Sequence, residues 1–413
     1  MDDQRKKILI IIAFIFVVVL AGFLLWRIFQ STLSPEPDQS NNPNVSDDFR
    51  LPESDPISAR PIVSPGDPQL PLGESQTEPA GDDNSTASDR TNKISSPNSF
   101  PTISATASND GNSIQYYDPL DNKFYRLNDN DEPIAISDEA FYNVKQVNWS
   151  PDKASAVLEY PDGNKVIYNF QTKNQITLPK HWEDFEYAPS GDRIAFKSIG
   201  FEEENRWLSV MNADGSQAVN LEKLGQNADK ATVNWSPNGQ IIATFQDGYD
   251  YNRKEVFFIG LNRENFKSML VQGRGFQSKW SPSSNKMLYS VYSDFNGYRP
   301  SLWLTDADVE NIGANTKPLA LETWVDKCTF ASETKVYCAV PRSLDDGDGL
   351  LPSSRIQSPD DLYLIDLESD ARTLISVDDS YNMSNLIVTQ DGQSLFFTDQ
   401  KTGGLYKIPL TQP

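Results

Sequence analysis

The side chains able to do chemistry are unevenly supplied in this sequence. One histidine and two cysteines in 413 residues are too few for a Cys/His zinc cluster or a haem ligand set. Any catalysis would fall to carboxylates, hydroxyls, Lys, Arg and one imidazole. That imidazole, His181 in Pro179-Lys180-His181-Trp182, falls in a connection beside an aromatic ring, where a solvated or packing role is expected. No G-x-S-x-G occurs, so there is no nucleophile elbow of the hydrolase type. Acidic clusters occur at Asp129-Asn130-Asp131-Glu132, at Glu202-Glu203-Glu204 and at Asp345-Asp346-Gly347-Asp348-Gly349. Calcium favours such oxygens, which makes Asp345, Asp346 and Asp348 the weak metal candidates. None of the clusters has helix-loop-helix spacing, so solvated acidic loops and no cofactor are expected. No two carboxylates single themselves out for glycoside hydrolysis.

A recurring pattern points instead to binding. Three stretches read Phe201-Glu202-Glu203-Glu204-Asn205-Arg206, Tyr249-Asp250-Tyr251-Asn252-Arg253 and Phe295-Asn296-Gly297-Tyr298-Arg299. Each places aromatics and an Arg just before an apolar run, and such residues are the usual anchors of recognition surfaces. Phe201, Arg206, Tyr249, Tyr251, Arg253, Phe295, Tyr298 and Arg299 are therefore the candidate binding residues. The competing expectation is that each Arg pairs with a neighbouring acid and only braces its loop.

The elements that must position these loops repeat. Val147-Asn148-Trp149-Ser150-Pro151-Asp152 is echoed by Phe185-Glu186-Tyr187-Ala188-Pro189-Ser190-Gly191, Val233-Asn234-Trp235-Ser236-Pro237-Asn238-Gly239 and Lys279-Trp280-Ser281-Pro282. Weaker copies lie at Thr329-Phe330-Ala331-Ser332 and Val388-Thr389-Gln390-Asp391-Gly392. In each, an apolar strand ends in an aromatic or apolar residue and a Pro/Gly-type turn reverses the chain into a second strand. Measured at 149, 187, 235, 280, 330 and 388, the units recur every 38 to 58 residues, the length of a four-stranded propeller blade. Third strands follow, as in Val166-Ile167-Tyr168 and Leu302-Trp303-Leu304. In such a blade the loops between second and third strands emerge on one face, which would gather the aromatic and Arg groups on one rim.

On these repeats the stretch 113–413 resembles a TolB-like β-propeller, of the WD-repeat-related type with W-S-P-D-G blades. The resemblance implies an all-β ring and leaves activity open, because propellers bind, scaffold and catalyse alike. Six blades are expected, with the pair Ile114-Gln115-Tyr116-Tyr117-Asp118 and Lys123-Phe124-Tyr125-Arg126-Leu127 completing the last of them and removing its open edge. Seven is the alternative if residues 114–137 make a blade of their own. Aligning Phe330 with Trp235 puts Cys328 and Cys338 opposite each other on the first two strands of one blade. Opposed residues lie about 4.5–5.5 Å apart, so a disulfide and a pair of packed thiols are both open readings.

Before the repeats, Ile8 to Trp26 is an unbroken apolar run, roughly 28 Å of helix and long enough for a bilayer. Arg5, Lys6 and Lys7 precede it and no basic residue follows Arg27 until Arg50, which places the N-terminus in the cytoplasm. Residues 30–112 are rich in Pro, Ser, Asn and Asp and read as a disordered stalk. The expected organisation is 1–7 cytoplasmic, 8–29 transmembrane, 30–112 linker and 113–413 propeller, at the cell membrane with the propeller extracytoplasmic. A net charge of −22 disfavours nucleic acid as a partner. The sequence thus points to a single-pass, membrane-anchored module that binds a protein, peptide or glycan and carries no recognisable catalytic constellation. The alternative is a propeller enzyme, carbohydrate-active or lactonase-like with a metal.

Overall fold

The structure, a computed structural model, describes residues 92–264 and 266–410. Their strands form seven four-stranded antiparallel sheets. Blade 1 comprises Ile103–Ala107, Ile114–Asp118, Lys123–Leu127 and Pro133–Ala135. Blade 2 comprises Gln146–Trp149, Ser155–Glu159, Lys165–Asn169 and Gln175–Leu178. Blades 3, 4, 5 and 6 begin at Trp182–Tyr187, Ala231–Val233, Arg274–Trp280 and Cys328–Phe330. Blade 7 has Met383–Val388, Ser394–Asp399 and Leu405–Pro409, and its fourth strand is the chain-early Ser95–Asn98, paired antiparallel with Leu405–Pro409.

Burial explains the strand compositions. In the second strand of blade 2, Ala156, Val157 and Leu158 are buried in succession, because each blade is packed on both faces by its neighbours. The fourth strand Gln175–Leu178 exposes its first three residues and tolerates polar ones. The core accordingly divides into seven clusters, each shared by two adjacent blades. Tyr117 and Phe124 of blade 1, for example, pack with Ala156 and Leu158 of blade 2.

The repeated turn is a small hydrogen-bonded knot. Ser150 Oγ donates to Asp152 Oδ1 (2.6 Å) and accepts the Ser155 N–H (3.0 Å). Ser236 does the same with Asn238 (2.7 Å) and Ile241 (2.9 Å), and Thr389 with Asp391 (2.6 Å) and Ser394 (3.0 Å). Ser108 also donates to Asp110 Oδ1 (2.6 Å), so Ala107-Ser108-Asn109-Asp110-Gly111 is a seventh copy.

This corrects the expectation of six blades. Ile114–Asp118 and Lys123–Leu127 are the second and third strands of blade 1, not a patch on the last blade. The seventh repeat escaped notice because its first strand, Ile103-Ser104-Ala105-Thr106-Ala107, is built of small residues and ends in Ala107, where the other units end in an aromatic or in Val388. Two strands, Ser95–Asn98 and Ile103–Ala107, fall within the tract read as linker. The expected span 8–29 and residues 30–91 lie outside the described residues. Among the described residues no helix is long and apolar enough to cross a membrane.

Because strands alternate in direction, the first-to-second and third-to-fourth turns share one face. The second-to-third loops share the other with the connections between blades. First strands line the axis and are stapled across blades: Trp149 Nε1 donates to the Ser104 carbonyl (2.8 Å) and Asn385 Nδ2 to the Ala105 carbonyl (2.7 Å).

Candidate functional site

Each of the three aromatic loops joins second and third strands, in blades 3, 4 and 5. In blade 3, Phe201 is 94% exposed. Arg206 folds back on its own loop, donating through Nε to the Gly200 carbonyl (3.2 Å) and through Nη2 to the Phe201 carbonyl (3.3 Å). In blade 4, Tyr249 and Tyr251 are exposed. Arg253 donates to Asp250 (2.6 Å) and lies over the Tyr249 ring, 4.8 Å from its centroid. That hydrogen bond holds the Asp250 carboxyl below the usual carboxylate range. In blade 5, Phe295 is 88% exposed, while Arg299 sits between Glu322 (3.2 Å) and Asp346 (3.7 Å). All three arginines are thus engaged within the rim, and the aromatics are what it presents.

The blade 4 and 5 loops meet, with the Tyr251 and Tyr298 hydroxyls 3.4 Å apart and Asn252 Nδ2 donating to Asp294 Oδ2 (3.1 Å). The blade 6 insertion then clasps blade 5. Gly347 N–H donates to the Gly297 carbonyl (2.7 Å) and Gly349 N–H to the Tyr298 carbonyl (2.8 Å). Gly297 has φ +68, and a Cβ there would strike the Asp346 carboxylate. Asp348 Oδ2 accepts the Asp345 N–H (2.8 Å). Asp345, Asp346 and Asp348 therefore serve to fold and attach this insertion. Among the described residues no group of three or more His, Cys, Asp or Glu side chains is placed to hold a metal ion. His181 is exposed beside Trp182. Cys328 and Cys338 are opposed in register and joined as a disulfide, with Cα atoms 4.1 Å apart.

The distribution of exposed apolar side chains is one-sided. Outside the strands, every exposed large apolar residue among those described lies in a second-to-third loop or an inter-blade connection, as with Tyr142, Phe201, Tyr249, Tyr251, Phe295 and Leu350. The turns of the opposite face hold none.

Two features were missed by sequence reasoning. The first is Glu186, on the first strand of blade 3, which lines an axial cavity of about 460 Å³ with Lys153, Asn148, Tyr187 and Asn385. Its Oε2 accepts the Trp235 N–H (2.8 Å), but burial dominates and pushes its pKa up to about 7. Burial likewise lowers that of Lys153. The signal was in view, since Glu186 precedes the repeat's aromatic where its counterparts are Asn148 and Asn234. The second is Arg274, in Gly273-Arg274-Gly275, whose guanidinium carbon lies 4.9, 5.7 and 5.5 Å from the ring centroids of Tyr251, Tyr292 and Tyr298.

The fold and its rim define the class: a seven-bladed β-propeller. No family model matches the chain, and no curated protein sequence does. Among solved structures it is similar to the tricorn protease, at 11% identity and a TM-score of 0.52. That match covers 79% of this chain and 34% of the other, so the chain spans about a third of that protein's length. It is also similar to the Myceliophteria thermophila Cps50 (Swd1) β-propeller domain, at 10% identity and a TM-score of 0.52, covering 77% of this chain and 100% of that one. An oligogalacturonate lyase in complex with manganese matches at 12% identity and a TM-score of 0.47, over 78% and 98% of the two chains. At such identities the first two likenesses concern the fold alone.

Proposed function

We propose that this chain is a TolB-like recognition module that docks a protein partner on the face formed by its second-to-third loops, and that residues 8–29 anchor it to the cell membrane with the propeller outside. The observation that carries the docking reading is the one-sided display of apolar side chains. Phe201 and Phe295 are almost wholly exposed and their side chains have no polar atom, so they gain by burial against another apolar surface. Loops on a rigid ring suit that task. The extracytoplasmic placement is supported by the charge asymmetry about residues 8–29 and by the Cys328–Cys338 disulfide, a bond that persists in oxidising compartments.

The test is photo-crosslinking in living cells. A photoreactive residue at 201, 249 or 295 should give one discrete adduct, and at 152 or 238, on the opposite face, none. Equal labelling from both faces would refute the rim reading.

A second reading rests on Glu186, whose pKa of about 7 suits a general acid or base near neutrality. An enzyme of this kind would act on a ligand within the axial cavity. Glu186→Gln would abolish its turnover, whereas the docking reading leaves rim adducts unchanged in that variant.

A further inference from the structure

Arg274 opens the first strand of blade 5, at the seam with blade 4. In blades 1, 3 and 7 the first strand bulges at a residue of positive φ, Ser104, Asp184 or Asn385. The polar side chain there staples the next blade. Ser104 Oγ accepts the Val147 N–H (3.0 Å), Asp184 Oδ2 accepts the Val233 N–H (3.1 Å), and Asn385 donates to Ala105. Blade 5 has a similar register shift, but the residue of positive φ is Gly275 (φ +67). With no side chain there, the Tyr292 ring fills the space, and a Cβ on Gly275 would collide with it. The staple is thus exchanged for an aromatic wall, and Arg274 stands inside it.

Among the described residues the Arg274 side chain makes no hydrogen bond and no ion pair, and its Nε is buried without a partner. A buried charged donor left unpaired is costly, and one in a folded protein calls for an acceptor. Three tyrosine faces stabilise the cation through their quadrupoles without satisfying its N–H groups. The side chain is only half-buried, with Nε closed off but neither Nη, so a ligand arriving at the rim can reach the two Nη groups. Tyr251, which is 67% exposed, and Tyr298 bring their hydroxyls within 3.4 Å of each other on the same rim. By contrast Arg206, Arg253 and Arg299 are already engaged. In a chain of net charge −22, Arg274 thus has no acid partner among the described residues.

We propose that Arg274 receives a carboxylate of the docked protein partner, bidentate on the guanidinium and hydrogen-bonded by Tyr251 and Tyr298. This rests on the rim-docking reading and names the polar contact at its centre. Planar fork geometry favours a carboxylate, which an Arg binds bidentate and a Lys does not. The carboxylate comes from an Asp or Glu side chain or from a chain terminus, and the test separates these.

The intact protein, with ¹⁵N-labelled arginine and in detergent micelles, is titrated with N-acetyl-phenylalanine, with N-acetyl-glutamate α-amide and with N-acetyl-phenylalanine amide. The Arg274 Nε–H resonance is assigned by its loss in Arg274→Lys. A saturable shift is expected with at least one carboxylate probe in about the millimolar range, with the amide at least tenfold weaker. A response to the first probe alone indicates a terminus, and a response to the second a side chain. Arg274→Lys and Arg274→Gln, each checked for an unchanged melting temperature, should abolish binding of the carboxylate probes, followed on the Tyr251 and Tyr298 ring resonances. Equal binding of acid and amide, or undiminished binding by Arg274→Gln, would overturn the proposal. If the probes fail while crosslinking at 201 and 295 persists, the carboxylate inference falls and the docking face stands. Loss of the adducts themselves would remove the docking reading.

Discussion

Glu186 should make the propeller less stable as the pH rises. Its carboxyl is half-buried between blades 3 and 4 on the wall of the axial cavity and keeps one backbone donor, the Trp235 N–H at 2.8 Å. The folded-state pKa of about 7 stands above the ordinary 4.5. The protonated form is therefore favoured in the folded state, and the sign follows. Below about pH 4.5 both folded and unfolded chains carry the proton and there is no penalty. Between about 4.5 and 7 the unfolded chain ionises first and stability falls, and above 7 the full penalty of a buried charge is present. A shift of that size corresponds to about 2–3 kcal/mol once the water of the axial cavity is allowed for. Glu186→Gln keeps an oxygen for the Trp235 N–H and removes the charge. Urea unfolding of both proteins at pH 4 and pH 8 should find them nearly equal in acid, with the variant more stable by about 2–3 kcal/mol at pH 8. A variant no more stable than the parent at pH 8, or one with the same dependence on pH, would show that the Glu186 charge carries no such penalty.

Other consequences can be checked directly. A chain beginning at residue 113 lacks the closing strand Ser95–Asn98 and the first strand of blade 1, and should give a poorly dispersed NMR spectrum, while one beginning at residue 92 should give a folded one. Replacing Cys328 and Cys338 by Ser should cost about 2–3 kcal/mol in urea unfolding, since the disulfide closes a short loop, and mass spectrometry of unreduced protein should find no alkylatable thiol. Ser108→Ala should destabilise by about 1 kcal/mol by removing the turn knot of blade 1, and hydrogen exchange should localise the loss to Ile103–Asp118. Arg206→Ala should leave the melting temperature nearly unchanged, because its partners are carbonyls of an exposed loop.

The architecture was legible where a unit carries both an aromatic and a Pro or Gly turn, as at Trp149 and Trp235. It was fainter where one of these is missing, as at Phe330 and Val388, and was lost in blade 1. Blade 1 keeps the Ser108-Asn109-Asp110-Gly111 turn but places Ala107 where the aromatic would be, and its core is supplied instead by Tyr116, Tyr117 and Phe124 on later strands. The ring-closing strand, Ser95-Ser96-Pro97-Asn98, has no apolar periodicity at all, because an outer strand needs only its backbone to pair. At the rim, composition showed which loops carry aromatics, but it could not tell which arginine side chain lacks a hydrogen-bond or ion-pair partner among the described residues. The three conspicuous ones are consumed by neighbours, and pairing depends on partners such as Glu322 and Asp346, distant in sequence. Arg274 stood outside the pattern, its significance arising from a bulge in which glycine replaces a stapling side chain.

Docking through the second-to-third loops requires that face of the ring to be covered when the protein does its work. Hydroxyl-radical footprinting in cells, compared with the purified protein, measures this at single residues. Phe201, Tyr249, Tyr251 and Phe295 should be oxidised several-fold less in cells, with the turns at 150–154 and 236–240 modified equally in both samples. Equal oxidation of the four aromatics in the two samples, or protection confined to those opposite turns, would contradict it.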